Sequence, residues 1–543
     1  MPPNRTELIT ETGAVAQTLL RTEYDPNIEY DTIVVGSGMG GGVVASALAD
    51  EKKRVLVLEA GSLLFPTHVG NLPRRILIGK FQKHIWSLWY DFSVRNYNNV
   101  DGSAYNGGQG FNLGGRSIFW GSSIPPLAKW ELDAWPQHIQ DYLLDQSPQG
   151  GYALARGVFN SDVPELKTFH QNAVTRIGQA LGQGWEVLPA PVAVEYAGPT
   201  EWSVPAGIFS TADLLLEDAL AVGSKDNPDW RAPLTVNLHH AVWNVNIEDG
   251  RATGVRCWDM LNKQERTYRA KSVVLSAGCL ESAKIALASG IQNNKIGRGI
   301  VDHPIYYRHF VIPPQRLAAL GLTSDKPLQN DLTRKEPTST KLLIRHESAT
   351  LANHGFDIIL ELGAQFNQGR IVDPDHIASE IDLRGGYLLC ELVFQFYCPL
   401  LERNSVVLGT GNPNDHAAPL NVDMQRAQIE PASLLQEARD IATTIFTLFD
   451  AEAVIGEQEN WPELQLADVG GVAHEVGTLR MPIRNPDGTL ERGVLDEDLK
   501  FEGIENLYAC DNSVFPVSPA GNPSLTLVAL ARRLAKTIAA RVQ

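Results

Sequence analysis

The feature that most constrains this chain is a glycine triplet, Gly36, Gly38 and Gly41, placed directly after the apolar run Asp31–Val35. A β-branched run that stops abruptly at glycine reads as a short buried strand. Val43 to Leu48 is small and apolar, which suits a helix packed closely on a sheet, and Arg54–Gly61 (RVLVLEAG) reads as a second buried strand. Strand, glycine turn, helix and strand make a βαβ unit and imply a parallel sheet. G-x-G-x-x-G in that position permits a tight turn, lets backbone approach a pyrophosphate and lets helix and strand touch. The helix N-terminus then presents its N–H groups and partial positive charge to the phosphates. Glu59 follows eighteen residues after Gly41, where an acidic side chain accepts hydrogen bonds from the adenosine ribose. A carboxylate there would repel a 2′-phosphate, so NADP is disfavoured while NAD and FAD both stay open. A glycine-rich loop packing on itself is the plain alternative.

Beyond the fingerprint, Leu234–Trp258 reads as two β runs around Glu248-Asp249-Gly250, a hairpin signal, and Lys271–Gly278 as another strand. Helical patterning returns at Leu280–Ser289, and Pro431–Asp450 predicts an amphipathic helix. Residues 1–30 form a polar lead-in. The chain divides into 1–305, a nucleotide-binding part holding a glycine-rich loop at 105–125; 306–465, a second domain of strands and charged turns; and 466–543, which returns to the first domain. The expected architecture is therefore an α/β, Rossmann-like domain with an inserted α+β domain.

Composition narrows the function by exclusion. Of 543 residues, 63 are acidic and 46 basic, a net charge of −17 that repels nucleic acid and anionic membranes. The five cysteines are scattered with no C-x-x-C pair, which speaks against a disulfide scaffold or a metal site and for a reducing compartment. Ile33 to Ala49 is uncharged but glycine-rich, so it predicts strand and turn rather than a membrane span. With no basic n-region ahead of an apolar stretch, the expectation is a cytoplasmic chain without a signal peptide. Oligomeric state is not set by the sequence, and a homo-oligomer is allowed.

Further glycine-rich segments choose between the dinucleotides. Asn112-Leu113-Gly114-Gly115-Arg116-Ser117 with Gly121 surrounds Phe119 and Trp120, and glycines there would let backbone lie flat against an isoalloxazine. Later come Asp302-His303-Pro304, His474-Glu475-Val476-Gly477-Thr478, Asp511-Asn512-Ser513-Val514-Phe515-Pro516 and Gly521-Asn522-Pro523. In this order, over about 31–543, the set resembles the glucose–methanol–choline (GMC) oxidoreductase family. The resemblance implies an FAD-binding domain of GMC type with an inserted substrate-binding domain, and oxidation of an alcohol.

By the same resemblance His474 is the catalytic base over the flavin and Asn522 the second active-site position. The cofactor-binding positions implied are Gly36, Gly38, Met39, Gly41, Glu59, Asn112, Gly114, Ser117, Trp120, Gly121, Val242, Ala277, Asp511, Asn522 and Thr526, with Asp511 near the ribityl–pyrophosphate chain and the Val242 backbone at the adenine end. The chemistry agrees. Alcohol oxidation removes a hydroxyl proton and passes a hydride to flavin N5. A neutral imidazole, with an ordinary pKa near ~6.5, suits the proton step. A polar neighbour must hold the oxygen so that its C–H faces the acceptor. Asn522 before Pro523 also reads as an N-cap with proline at the first helical position, aiming a positive helix end at the flavin. His303 reads as shaping a turn, and Trp86, Trp89 and Tyr90 as core packing or a sugar subsite.

The run GGRSIFWGSS resembles the flavin segment of pyranose oxidases and bacterial C-glycoside 3-oxidases. Phe119 stands where fungal pyranose oxidases carry a histidine bonded to the flavin, and Gly121 replaces a threonine. The FAD expected here is therefore non-covalent. The donor expected is a sugar or glycoside oxidised at a ring C2 or C3 hydroxyl, with O2 or a quinone-like molecule as acceptor. A non-sugar alcohol oxidoreductase and a non-redox FAD lyase of the same fold remain open.

Overall fold

The computed structural model describes residues 24–542 apart from 72–87, 90, 160, 162–167, 197–204, 221–233, 323–326, 329–330, 336–339, 364–384 and 410–418. His84, Trp86, Tyr90 and most of the polar lead-in lie outside them.

The apolar runs of the fingerprint become the centre of a mixed sheet. Glu29–Val35 pairs in parallel with Val55–Leu58 on one side and with Gln264–Leu275 on the other. Val55–Leu58 in turn pairs in parallel with Thr235–Asn237, and Leu507–Ala509 runs parallel to the end of Gln264–Leu275. Every residue of Val55–Leu58 is buried, as expected for a strand covered on both faces. The helix Met39–Asp50 carries no charged side chain until its last residue, and its buried stretch Gly40–Ala49 lies against the sheet and the terminal helix Ser524–Arg541. The hairpin predicted around Glu248-Asp249-Gly250 joins His240–Glu248 to Arg251–Asp259. Asp249 and Gly250 both take positive φ there (49° and 75°), the backbone of a tight primed turn. The carboxyl ends of the parallel strands meet the Gly36–Gly38 turn, the crevice where open α/β sheets bind ligands.

A second sheet runs in the order Trp185–Pro189, Thr340–His346, Phe356–Leu362, Leu388–Phe396, Ile305–Ile312, with Glu452–Ala453 at the far edge. Its outer face packs on the amphipathic helix Ser433–Phe449 through Phe310, Phe394, Ile445 and Phe449. These sheets cross the expected boundaries. Trp185–Pro189 and the helix Thr168–Leu181 build the second unit from upstream of residue 306. Leu401–Leu408 and Leu420–Asp423, inside the 306–465 block, instead join Arg298–Gly299 and Tyr97–Asn99 in a four-stranded sheet over Cys279 and Leu280. Strand pairing is non-local, so contiguous sequence blocks do not reveal it.

Candidate active site

Between the two sheets lies a cavity of about 1160 Å³. The fingerprint turn forms one end. Gly36 has φ of +95°, and a Cβ there would stand 2.4 Å from the Ser276 carbonyl oxygen, so glycine is required. At Gly41 a Cβ would meet the Gly36 carbonyl at 2.2 Å. Gly41 thus closes the turn from behind and does not line the cavity, whereas Gly36, Gly38, Met39 and Glu59 do.

Ser37, which the sequence reading passed over, ties these parts together. Its hydroxyl donates to Glu59 Oε2 at 2.6 Å and accepts from the Gly114 N–H at 3.0 Å. Glu59 Oε1 accepts from the Gly61 N–H at 2.8 Å, and burial raises the Glu59 pKa against these hydrogen bonds.

In the 105–125 loop, Ser117, Trp120 and Gly121 line the cavity, but Asn112 and Gly114 lie one layer behind it. Asn112 Nδ2 donates to the carbonyls of Leu113 and Gly115, at 3.0 and 3.1 Å, so it shapes the loop rather than facing a ligand. Val242 and Ala277 line the cavity too, and the ladder of Val242's strand slips between Val242 and Asn244, which leaves backbone there outside regular pairing. Asp511 accepts from Ser282 Oγ at 2.6 Å and from the N–H groups of Gly278 and Ser513 at 2.9 and 2.8 Å. Thr526 departs from expectation: fully buried, its hydroxyl pairs with the Tyr152 hydroxyl at 3.2 Å, away from the lining.

His474 and Asn522, 48 residues apart, meet in the cavity with Asn522 Nδ2 3.4 Å from His474 Nε2. The other ring nitrogen, Nδ1, lies 2.8 Å from His303 Nε2. His303 therefore contacts the His474 ring directly instead of merely shaping a turn. Burial, followed by the charge of Arg116, lowers the His474 pKa to about 4, so the ring is neutral at ordinary pH. The capping expectation for Asn522 is corrected: the helix begins at Ser524, Pro523 occupies the cap position, and no side chain caps it. The Asn522 side chain turns to His474 instead, and the preceding Gly521 N–H donates to Glu131 Oε1 at 2.8 Å.

The second sheet supplies the opposite wall, and its strand register arranges it in rows. Lys341, Glu361, Glu391 and His309 are successive cross-strand neighbours, with Ile359, Val393 and Tyr307 in the next row. All seven line the cavity. Lys341 pairs with Glu361 at 3.0 Å and donates to the Gly121 carbonyl at 3.3 Å. His309 contacts Glu391 through Nε2 at 3.2 Å and Glu457 through Nδ1 at 2.9 Å. Burial opposes charge on this ring, but the two carboxylates outweigh it and raise the pKa.

Two family models for GMC oxidoreductases match the chain, at residues 210–305 and 402–531. They cover the strands and motifs that carry both His303 and the His474–Asn522 pair. Over these segments the chain matches the GMC oxidoreductase family. Among its relatives, a long-chain-alcohol oxidase of Arabidopsis thaliana is 23% identical over 94% of the chain and 67% of its own length. A C-glycoside 3-oxidase of Microbacterium trichothecenolyticum is 25% identical over 70% of the chain and 64% of that relative. In three dimensions a formate oxidase of Aspergillus oryzae superposes with a TM-score of 0.61 at 17% identity, over 95% of this chain and 99% of the other. This likeness extends to the whole fold, an FAD-binding α/β domain with a substrate-binding domain.

FAD is the cofactor of this family, and the cavity fits it. A Cβ built at Gly38, Gly121 or Gly278 meets no protein atom within 4 Å, and all three glycines line the cavity. Backbone without side chains thus faces open space at the fingerprint, in the 105–125 loop and beside Asp511. Among the described residues no cluster could hold a metal ion, and no helix is long and apolar enough to cross a membrane.

Proposed function

We propose that this GMC oxidoreductase oxidises a secondary alcohol of a sugar or glycoside, at a ring C2 or C3 hydroxyl, to a ketone. The Gly36–Met39 turn, Glu59, Ser117, Gly121, Val242, Ala277 and Asp511 would hold FAD without a covalent bond. Bound FAD supplies the acceptor for the hydride that leaves the alcohol carbon. His474 takes the hydroxyl proton at Nε2, since its Nδ1 is engaged by His303. Asn522, beside the same nitrogen, orients the donor oxygen.

The observation that carries the donor class is the charged row Lys341–Glu361–Glu391–His309 on the cavity wall. Hydroxyl groups donate to its carboxylates and accept from its cations. A long alkyl chain would strip water from the same groups and offer their remaining donor and acceptor positions nothing in return. The adjoining Ile359–Val393–Tyr307 row offers an apolar strip against which the C–H face of a sugar ring packs. The C-glycoside 3-oxidase among the relatives points the same way. O2 or a quinone-like molecule would re-oxidise the flavin.

Anaerobic mixing tests this with D-glucose, a methyl glucoside, an aryl C-glucoside, 1-dodecanol and choline. Loss of the oxidised-flavin absorbance with a sugar or glycoside supports the proposal. Loss with dodecanol or choline alone means a non-sugar alcohol donor, and no loss with any panel member counts for non-redox chemistry.

A further inference from the structure

His474 sits in a turn that is gripped from outside the catalytic pair. Ala473 has φ of +60°, a left-handed conformation that a residue with a Cβ keeps only where its surroundings hold it. Arg116 of the 105–125 loop supplies that hold. Its Nη1 donates to the Ala473 carbonyl at 3.0 Å and to Glu475 Oε2, while Nη2 donates to Glu475 Oε1 at 3.1 Å and to the Gly108 carbonyl at 2.6 Å. One guanidinium thus binds the residues on both sides of His474. Glu475 is 1% exposed and also accepts from the Tyr105 hydroxyl at 2.7 Å, so its carboxylate cannot swing away. A planar fork matches this bidentate geometry, and an ammonium does not.

We propose that Arg116 and Glu475 are the positioning pair for His474, the guanidinium locking the Ala473–Glu475 turn onto the loop that faces the flavin and Glu475 fixing the guanidinium. The inference rests on reading His474 as the base. It accounts for an ion pair, its carboxylate buried and its guanidinium 31% exposed, beside a group that must stay neutral: the pair leaves no net charge, yet the charge of Arg116 disfavours protonation of the imidazole. The other groups around the ring are His303 and Asn522 in contact with it, and Asp302, Tyr105 and Cys279 near the pair. Burial pushes the last three toward their neutral forms.

The test uses the flavin-loaded full chain with 13Cε1-labelled histidine, the His474 signal being identified by its loss in His474→Gln. Arg116→Met should raise the midpoint of that signal by roughly one pH unit, since a nearby like charge has gone. Arg116→Lys should leave the midpoint in place because the charge is kept. Both should speed amide hydrogen exchange in the 472–476 peptide without changing it in the helix Ser524–Arg541. Where Arg116→Met does not fold, Arg116→Met combined with Glu475→Met removes the whole pair and leaves no unpaired charge on the buried Glu475 side, and should still raise the midpoint. An unmoved midpoint once Arg116 is lost, or unchanged exchange at 472–476 in Arg116→Lys, overturns the proposal. Normal flavin reduction in His474→Ala would instead sink the base assignment, and both measurements on Arg116 would still be readable.

Discussion

His303 Nε2 stands 2.8 Å from His474 Nδ1, and this contact leaves Nε2 as the His474 nitrogen that faces the cavity. Two neutral rings share one proton across it. With the proton on His474 Nδ1, Nε2 keeps its lone pair on the cavity side, where Asn522 Nδ2 can donate to it. With the proton on His303, His474 Nε2 carries hydrogen and cannot accept one. Donation from Asn522 Nδ2 therefore favours the tautomer with Nε2 free, and His303 can accept from Nδ1 in that state.

His303→Ala should retain FAD and fold, yet slow flavin reduction by about 10- to 100-fold, the scale of a misplaced catalytic group. Stopped-flow reduction of the variant measures it. An unchanged rate would leave His303 as a packing residue.

His474→Ala should keep the yellow cofactor and slow reduction by ~10²–10⁴-fold, the range of general-base catalysis. Asn522→Ala should cost less, since it orients the donor without taking the proton. Asn522 is no helix cap here, so thermal unfolding of that variant should move little. A large drop in Tm would restore the capping role.

The pH profile follows from the lowered pKa of His474. A base must be neutral, and with its pKa near 4 the ring remains so from the neutral range down to mildly acid pH. Reduction by a saturating donor should lose this contribution only as pH falls through that value, not near the ordinary histidine range. An acid limb near ~6.5, the unperturbed imidazole value, would show that water or flavin changes the burial of His474.

Attachment of the cofactor can be read by acid precipitation, and the yellow colour should stay in the supernatant. Phe119, packed against Phe65 and Trp89, has no lone pair to offer the flavin. His68, the nearest histidine in the described sequence upstream, has both nitrogens engaged: Nδ1 accepts from the Gly70 N–H at 2.9 Å and Nε2 faces the Trp120 carbonyl at 2.9 Å. Burial lowers its pKa to about 3 despite that carbonyl. A flavin adduct on a tryptic peptide would show that another side chain reaches the cofactor.

Glu59→Ala should weaken FAD retention without changing which alcohols reduce the flavin that remains bound. Ser37 and Gly61 already fix this carboxylate at the cavity edge. Equal FAD content after extensive dialysis would place the ribose elsewhere.

What the sequence determined by itself was local. Periodicity and glycine spacing marked the βαβ turn at Gly36–Gly41, the hairpin at Glu248–Gly250 and the helix near Pro431–Asp450, because each rests on backbone preferences within a few residues. The order of motifs pointed to His474 and Asn522, and to the family. The rest required chain segments far apart to meet. Nothing near His303 or Arg116 announces that they contact the His474 turn, for their partners lie 171 and 357–359 residues away. Asn522-Pro523 carried a capping signal, yet in the tertiary structure the helix starts at Ser524 and the Gly521 N–H donates to Glu131. Which face of the second sheet carries charge was likewise decided only by strand register. That register sets Lys341, Glu361, Glu391 and His309 in one row, and a single-residue slip would turn each of them away from the cavity.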